Sequence, residues 1–307
     1  MESKEKAVPT VPGWRRDLAP LFSEIRYGWH LLTLNKLVLY GTFIAVGITL
    51  VAVVGPFFVP PGTNINLNIV SGQKAILGDS QLGWQHPFGV DSFGRDMLGM
   101  VVLALSLDLS AALLIVASAL VIGILLGATA GFVGGKVDEI IMRVTDIFLA
   151  FPALILALGV AAALGRSLNN LILALAIIWW PIYVRLIRGQ VLIEKGKPYV
   201  EALKALGVGR WRTILRHIVP NSIFPVLVQA SLDIGGVILT FAGLSFLGFA
   251  VDYFTPELGR MVLDGQNFIQ SNPLLITIPG LVILVTALAF NLLGDGLRDI
   301  LDPRLRR

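Results

Sequence analysis

The 307-residue sequence contains no cysteine and few charged residues. Without cysteine, the chain can form neither a disulfide framework nor a thiolate metal site. Its three histidines are far apart in the sequence and form neither an HxxxH nor an HExxH metal-binding pattern. Charged residues make up 14% of the chain, whereas a soluble protein carries about a quarter. Because 55% of the residues are hydrophobic, the composition predicts an integral membrane protein.

A Walker A motif, GxxxxGK[ST], is also missing from the sequence. In that motif the backbone amides and the lysine hold the phosphates of a nucleotide. The two Gly-Lys pairs, at 135–136 and 196–197, are followed by valine and proline instead of serine or threonine. We therefore expect this chain to bind no cofactor and no metal, and to contain no catalytic residues.

Six segments are long and apolar enough for transmembrane helices, which need about 20 such residues. They cover residues 37–59, 109–132, 140–164, 168–187, 222–249 and 276–297. Pro152 in the third segment and Pro181 in the fourth predict kinks, which a helical bundle tolerates. The sequence therefore predicts an all-α, polytopic membrane bundle of six transmembrane helices.

The distribution of lysine and arginine predicts the orientation of these spans. Twenty lie in the N-terminal segment, the 133–143 turn, the 185–216 region and the C-terminal tail. Only four lie in the alternate set of loops: Lys74, Arg95, Arg166 and Arg260. By the positive-inside rule, this asymmetry predicts that both termini are cytoplasmic.

Residues 1–36 precede the first span, and we expect them to be a cytoplasmic segment without a cleavable signal. Within this segment, apolar residues recur at helical spacing after Pro20: Leu21, Phe22, Ile25, Trp29 and Leu32. This spacing, with arginines nearby, favours a short helix in the inner membrane interface. A disordered tail is the alternative.

Small residues recur every four positions on two of the predicted spans. Gly123, Gly127 and Gly131 lie on the second span, and Ala153, Ala157 and Ala161 lie on the third. Such stripes let helix backbones approach closely, so we expect them to pack within the bundle.

The acidic residues in or near the predicted spans include Asp108, Asp146 and Asp233. Asp108 and Asp146 are near span ends, where we expect solvation at the interface. Asp233 lies about half way along the fifth span, where an acidic side chain is costly and is a functional candidate by default. It could line a solvated pathway or make a structural hydrogen bond.

The largest predicted external segment covers residues 60–108 and contains charges of both signs. Asp91 and the following serine could cap a helix that continues through Arg95 into the second span. A local Arg–Asp pair at a capped helix entrance explains these residue types. Docking of an external partner by Asp91, Gly94, Arg95 and Asp96 is the alternative. A second external segment, residues 250–275, could contact a solute or its carrier.

Residues 199–221, YVEALKALGVGRWRTILRHIVPN, form a basic segment with apolar residues in a helical rhythm and a central glycine. A simple connector needs neither feature. The pattern predicts two short helices that meet at Gly207 and face a partner on the cytoplasmic side.

The sequence resembles the C-type permease subunits of dipeptide/oligopeptide ABC importers. The resemblance covers nearly the whole chain, through HPFGVDSFGRDML, PIYVRLIRGQVL, YVEALKALG, HIVPN, LSFLG and LGDGLRDILDPRLR. The family's EAA loop corresponds to 188–221 here, with these matching or flanking positions: Glu201, Ala202, Leu203, Gly207, Arg210, Ile218 and Pro220. Leu203 replaces the alanine that is usual at the third EAA position.

This resemblance implies a five-helix type I importer core over residues 109–307, preceded by the helix 37–59 and the external segment 60–108. It also implies partners: a homologous second permease, two cytoplasmic ATPase subunits that bind Mg-ATP, and an external solute-binding protein. In many relatives a glutamate stands at the position of Phe241, and a tryptophan at that of Leu258. These two departures bear on the solute class. Phe241 is a candidate for the pathway or a subunit interface, and so is Asp233 because of its place in the fifth span.

The implied function is ATP-driven import of di- or oligopeptides across the cell membrane, in which this subunit catalyses no reaction. Oligosaccharides, nickel and glutathione are alternative solutes within the family. An ion-coupled secondary transporter is a distant alternative, since that class usually shows an internal repeat, and we find none. A membrane enzyme is less compatible still, because the spans contain no paired catalytic residues.

Overall fold

The computed structural model describes residues 35–60, 87–91, 94–249 and 255–301. This part of the chain is built from helices joined by short turns. In order they are α1 (Lys36–Val54), α2 (Met97–Val133), α3 (Gly135–Leu149), α4 (Ala153–Leu164), α5 (Leu168–Lys195), α6 (Pro198–Ala205), α7 (Arg210–Thr213), α8 (Val219–Ser222), α9 (Phe224–Leu244), α10 (Leu258–Gly265) and α11 (Leu274–Leu301). The predicted interfacial helix at 20–32 lies outside the described residues.

Five of these helices are long and apolar enough to cross a membrane: α1, α2, α5, α9 and α11. The pair α3 and α4 gives a sixth crossing if it is counted as one broken span. The prediction of an all-α membrane bundle is confirmed.

The predicted third span is interrupted. Helices α3 and α4 meet at an angle of 92°, with the break at Ala150–Pro152. Proline has no amide hydrogen and disfavours helical geometry in the residue before it, so Phe151–Pro152 is a natural end point for α3. Proline 181 has a milder effect, since α5 continues through it as one helix.

Helix α2 begins at Met97, twelve residues before the predicted start of the second span. Its 37 residues correspond to a length of about 55 Å, whereas the hydrocarbon core is about 30 Å thick. The helix therefore extends well beyond the bilayer core, and part of the predicted external segment is a continuation of the span.

The glycine stripe of α2 packs against α5. A Cβ atom at Gly127 would lie 2.6 Å from the Val184 carbonyl oxygen, and one at Gly131 would lie 3.0 Å from the Arg188 carbonyl oxygen. Gly123 approaches Tyr183 in the same way. The contacts advance together along both helices, so α2 and α5 run parallel. The prediction that this stripe allows close backbone approach is confirmed.

Parallel packing of α2 and α5 determines the role of the segment between them. Since both helices run in the same direction, the chain after α2 must return to the other end of the bundle before α5 starts. Helices α3 and α4 make this return. The Asn170 side-chain amide on α5 donates to the carbonyl oxygens of Leu164 and Gly165, at 2.6 and 3.1 Å, and this contact fixes the junction with α4.

Helices α9 and α11 pack antiparallel, again through glycines. Gly235 of α9 contacts the backbone of Ala287, and Gly294 of α11 contacts Leu232. Helix α1 joins the same side through Gly41, which contacts Leu292. The result is a bundle in which α2 and α5 form one tightly packed pair and α9 and α11 form another.

We predict that Gly127→Val lowers the thermal stability of the purified protein, because the new side chain would overlap the α5 backbone. Overpacking of this kind costs about 1–3 kcal/mol. Gly159→Val on α4 is the matched control, since a Cβ atom there meets nothing within 4 Å. Equal melting temperatures for the two variants would contradict the tight α2–α5 contact.

Candidate functional site

The segment after α5 forms two short helical stretches joined by a tight turn at Gly207. Helix α6 ends with the Gly207 amide donating to the Lys204 carbonyl and the Val208 amide donating to the Leu203 carbonyl, at 3.0 and 3.1 Å. This is the Schellman pattern of helix termination, which needs a left-handed residue after the helix. Gly207 has φ +71°, so the predicted need for glycine at this turn is confirmed.

A cluster of polar side chains fastens this segment to the end of α5. The buried carboxylate of Glu194 accepts hydrogen bonds from the Lys197 ammonium group and, at 2.9 Å, from the Tyr199 hydroxyl. Burial and the adjacent Glu194 carboxylate raise the pKa of Tyr199, and the hydrogen bond to Glu194 raises the pKa of Lys197. The cluster fixes α6 to the end of the long helix, so the two move together.

The segment from α6 to α8 has two faces. Its inner face is buried against the bundle through Val200, Thr213, Ile214 and Ile218. Its outer face exposes large apolar side chains: Leu206 is 79% exposed, Trp211 60% and Leu215 55%. We call these three residues and Glu201 the outer loop face. Exposed apolar side chains grouped on a polar loop are typical of a protein-binding surface.

The predicted coupling residues divide between these faces. Glu201, Ala202, Arg210 and Pro220 are exposed, and Leu203 is half-buried. Ile218 is fully buried and packs inside the bundle, where it supports the loop without reaching the surface.

Asp233 lies on α9 and is half-buried. Its Oδ1 atom accepts a hydrogen bond of 2.9 Å from the Gln229 side chain, and Trp179 and Tyr183 of α5 approach the same carboxylate. Phe241 lies about two turns further along α9 and is fully buried in the chain's own core. We therefore retain Asp233 as a pathway candidate and place Phe241 in the core.

The predicted external docking residues form a compact structural turn. The Arg95 guanidinium is buried and pairs with Asp91 at 2.5 Å, and the Arg95 amide donates to the same carboxylate at 2.9 Å. Gly94 has φ +80°. The cap of α2 is Asp96, which accepts from the Gly99 amide at 2.7 Å, so the expectation that Asp91 and Ser92 cap this helix was wrong. The local Arg–Asp pair is present.

Two buried carboxyl groups meet at the start of α10. Glu257 caps this helix and accepts from the amides of Gly259 and Arg260, at 3.0 and 2.6 Å. Asp108 of α2 accepts from the Leu258 amide at 3.2 Å. Asp108 is 1% exposed, so the expectation that it is solvated at the interface was wrong. Burial raises the pKa of Glu257 to about 7 despite these amide donors.

Comparison with known proteins identifies the family. The family of binding-protein-dependent transport system inner membrane components matches residues 123–307. The chain belongs to this family. It is therefore a multi-pass membrane permease subunit of an ABC importer, and the resemblance to C-type permeases is confirmed. The match covers the last third of α2 and all later helices, including the loop with Gly207.

Three named permeases illustrate the similarity. The dipeptide transport system permease protein DppC of Alkalihalophilus pseudofirmus is 38% identical over 92% of this chain and 90% of its own length. The probable D,D-dipeptide transport system permease protein DdpC of Escherichia coli K12 is 47% identical over 71% of this chain and 74% of its own. The nickel transport system permease protein NikC of the same strain is 38% identical over 72% and 80%.

Two parts of this site are not among the features predicted from the sequence. One is the Glu194 cluster, although Glu194, Lys197 and Tyr199 surround the Gly196 turn at spacings that allow contact. The other is the exposure of Leu206, Trp211 and Leu215, because an apolar residue on a short helix is as compatible with the core as with the surface.

The pKa of Glu257 predicts a pH-dependent stability. Since the folded protein binds this proton more tightly than the unfolded chain, whose glutamates titrate near 4.5, stability should fall as the pH rises from about 4.5 to about 7. Thermal melting of the purified protein between pH 5 and 8 would measure this. Glu257→Gln should flatten the profile, and an unchanged slope would contradict the assignment.

Proposed function

We propose that this permease forms half of the translocation pathway of an importer for di- or oligopeptides delivered by a solute-binding protein. The support is the similarity to two dipeptide permeases, one of which aligns over nine tenths of both chains. Nickel is the alternative solute, because a nickel permease is among the relatives. Oligosaccharides and glutathione are further alternatives that should be tested alongside it. Binding of these solutes by the cognate solute-binding protein tests this choice.

The outer loop face is proposed as the docking surface for the ATPase subunits. The observation that carries this proposal is the apolar exposure of Leu206, Trp211 and Leu215 beside Glu201, on a segment whose opposite face is buried. Burying such side chains in a partner groove is favourable by about 25 cal/mol for each Å² of apolar surface. The Mg-ATP is bound and hydrolysed by those partners, and this chain contributes no catalytic group or cofactor.

The proposed orientation places both termini and the coupling loop in the cytoplasm. Twenty lysines and arginines on the proposed inner side against four on the outer side support it. The homologous second permease would complete a heterodimer, with two ATPases below and the solute-binding protein outside.

The proposed mechanism is alternating access. ATP binding drives transport only by favouring one of two conformations of the complex. The helix α5 is the lever in this proposal, because it runs unbroken from the Asp233 region to the Glu194 cluster. A displacement of the loop by the ATPases would therefore move the wall of the pathway. Asp233 is the side chain we place on this wall.

Charge reversal of the docking surface should separate the ATPases from the permease. We expect Glu201→Lys to reduce ATPase co-purification and solute uptake at least tenfold at normal membrane abundance. Glu139→Lys is the matched control, because it reverses another exposed glutamate that lies on α3 and not on the coupling loop. Normal uptake by Glu201→Lys would contradict docking at this surface.

The same assay can separate backbone conformation from side-chain size at Gly207. A Cβ atom there would meet nothing within 4 Å, so only its φ of +71° restricts the residue type. We expect Gly207→Val to lose ATPase co-purification. Gly207→Asn should retain most of it, because asparagine tolerates left-handed conformations and valine does not. Retention by both variants would show that the turn geometry is not required, and loss in both would show that any side chain at this position is too large.

Single cysteines can test the topology, since the chain has none of its own. Gln270→Cys and Ala205→Cys both lie at exposed positions. An impermeant thiol reagent should label position 270 in intact cells and position 205 only after permeabilisation. The reverse pattern would overturn the proposed orientation.

A further inference from the structure

A polar face runs along α9 within its membrane-spanning part. It consists of Gln229, Asp233, Gly236 and Thr240, whose spacing of three or four residues places them on one side of the helix. All four are half-buried, while Ile238 on the opposite side is packed in the core. A partly open face with an acidic side chain is unfavourable against lipid, so it faces a solvated path or another subunit.

Hydrogen-bond donors hold the Asp233 carboxylate on the side of the chain's own helices. Its Oδ1 atom accepts from the Gln229 side chain at 2.9 Å, and Trp179 and Tyr183 approach it from α5. An indole N–H group can only donate, and the Gln229 group that faces Asp233 is also a donor. These neighbours match the acceptor atoms of a carboxylate, and none of them carries a positive charge.

Asp233 has no cationic partner among the residues that the structure describes. Arg185 of α5 is paired with Asp146 of α3 at 2.7 Å. Arg188, three residues further along α5, is paired with Asp138 at 2.5 Å. Asp233 lies nine residues after the start of α9, which is about 14 Å into a candidate span. A carboxylate at this depth is costly without a counter-ion, so it favours a cation that enters the path.

An aromatic ring lies next to this carboxylate. Trp179 is half-buried, and a Cβ atom at Gly236 would lie 3.8 Å from Cζ2 of its indole. Because Gly236 has no side chain, the indole stays beside the polar face of α9. An ammonium group is attracted both by a carboxylate and by an indole ring, so the two side chains together favour this kind of cation.

We propose that Asp233 and Trp179 bind the amino-terminal ammonium group of a peptide in transit. This inference rests on the proposed import of di- or oligopeptides and identifies the part of the solute that the path recognises. The α-amino group is cationic at neutral pH in every unmodified peptide, so a site for it admits peptides of many sequences. A single carboxylate suits a passing ammonium group better than a nickel ion, which needs several ligands. The described residues contain no group of three acidic, histidine or cysteine side chains that suits a metal ion.

The first test uses the whole importer in proteoliposomes, with its partner subunits and its solute-binding protein saturated with a tripeptide. Asp233→Asn preserves the size of the side chain and removes its charge. Asp299→Asn is the matched control, since it makes the same change at an exposed aspartate near the end of α11. The maximal uptake rate should fall about tenfold in Asp233→Asn, because the ammonium group would pass without a counter-charge. Asp299→Asn should leave the rate unchanged.

Cysteine chemistry separates charge from shape at this position, since the chain has no cysteine of its own. Asp233→Cys, assembled with partner subunits that also lack cysteine, should transport slowly. A methanethiosulfonate reagent that adds a sulfonate group should restore uptake, and one that adds a trimethylammonium group should not. The transported tripeptide should slow the reaction of position 233 with both reagents.

The contrary outcomes identify what would replace the proposal. Normal uptake by Asp233→Asn, or equal effects of the two adducts, would show that the charge at this position is not used. If Asp233→Asn loses the second permease on purification, the cation that Asp233 pairs with belongs to that subunit. If wild type takes up no peptide at all, the proposed function fails, and this result differs from failure of the Asp233 site, which leaves peptide uptake by wild type intact.

Discussion

The contact on which the rest of the structure depends is the close approach of α2 and α5 through the glycine stripe. Without side chains at Gly123, Gly127 and Gly131, the two backbones pack directly against each other. In a bilayer, where hydrophobic association of helices is weak, such packing is a main source of stability. It fixes the direction of α5, and α5 in turn carries both the Asp233 neighbourhood and the coupling loop.

Much of this arrangement could be predicted from local rules, because those rules act on few residues at a time. The four-residue glycine spacing indicates a packing face whatever the partner helix is. The left-handed conformation of Gly207 was predictable for a similar reason, since a helix that ends in a sharp turn needs a left-handed residue there. The parallel direction of α2 and α5 follows from their places as the second and fourth predicted spans. The choice of α5 as the partner of the glycine stripe was not predictable, because the spacing is compatible with packing against any neighbouring helix.

One failed expectation concerns a residue whose environment is set by a distant part of the chain. Asp108 is near the end of the predicted span, but its contact is the Leu258 amide, 150 residues further on. Sequence patterns read in short windows cannot detect such contacts. The local Arg–Asp pair was predicted correctly, and the structure identifies its members as Arg95 and Asp91. The cap at Asp96 is a local feature, and beside it the Met97 amide donates to the Gly89 carbonyl at 3.0 Å. The expectation for this cap failed because either Asp91 or Asp96 could cap a helix by residue type alone.

The polar contacts of the described residues differ between the two ends of the bundle, and the difference bears on how force is transmitted. At the end of the bundle where α2 and α10 begin, the charged side chains next to these helices are mostly buried and bonded within the chain, as in Arg95 with Asp91 and Glu257 with the α10 amides. At the loop end the Glu194 cluster is satisfied internally, while the outer loop face leaves apolar and charged groups exposed. Polar groups that are bonded within the chain need no partner, whereas the exposed outer loop face can be covered by one. A displacement of the loop by a partner would therefore leave the hydrogen bonds inside the bundle intact. In the proposed mechanism, α5 would act as a lever joined to the coupling loop by the Glu194 cluster, and the outer loop face would be the surface on which the ATPases act.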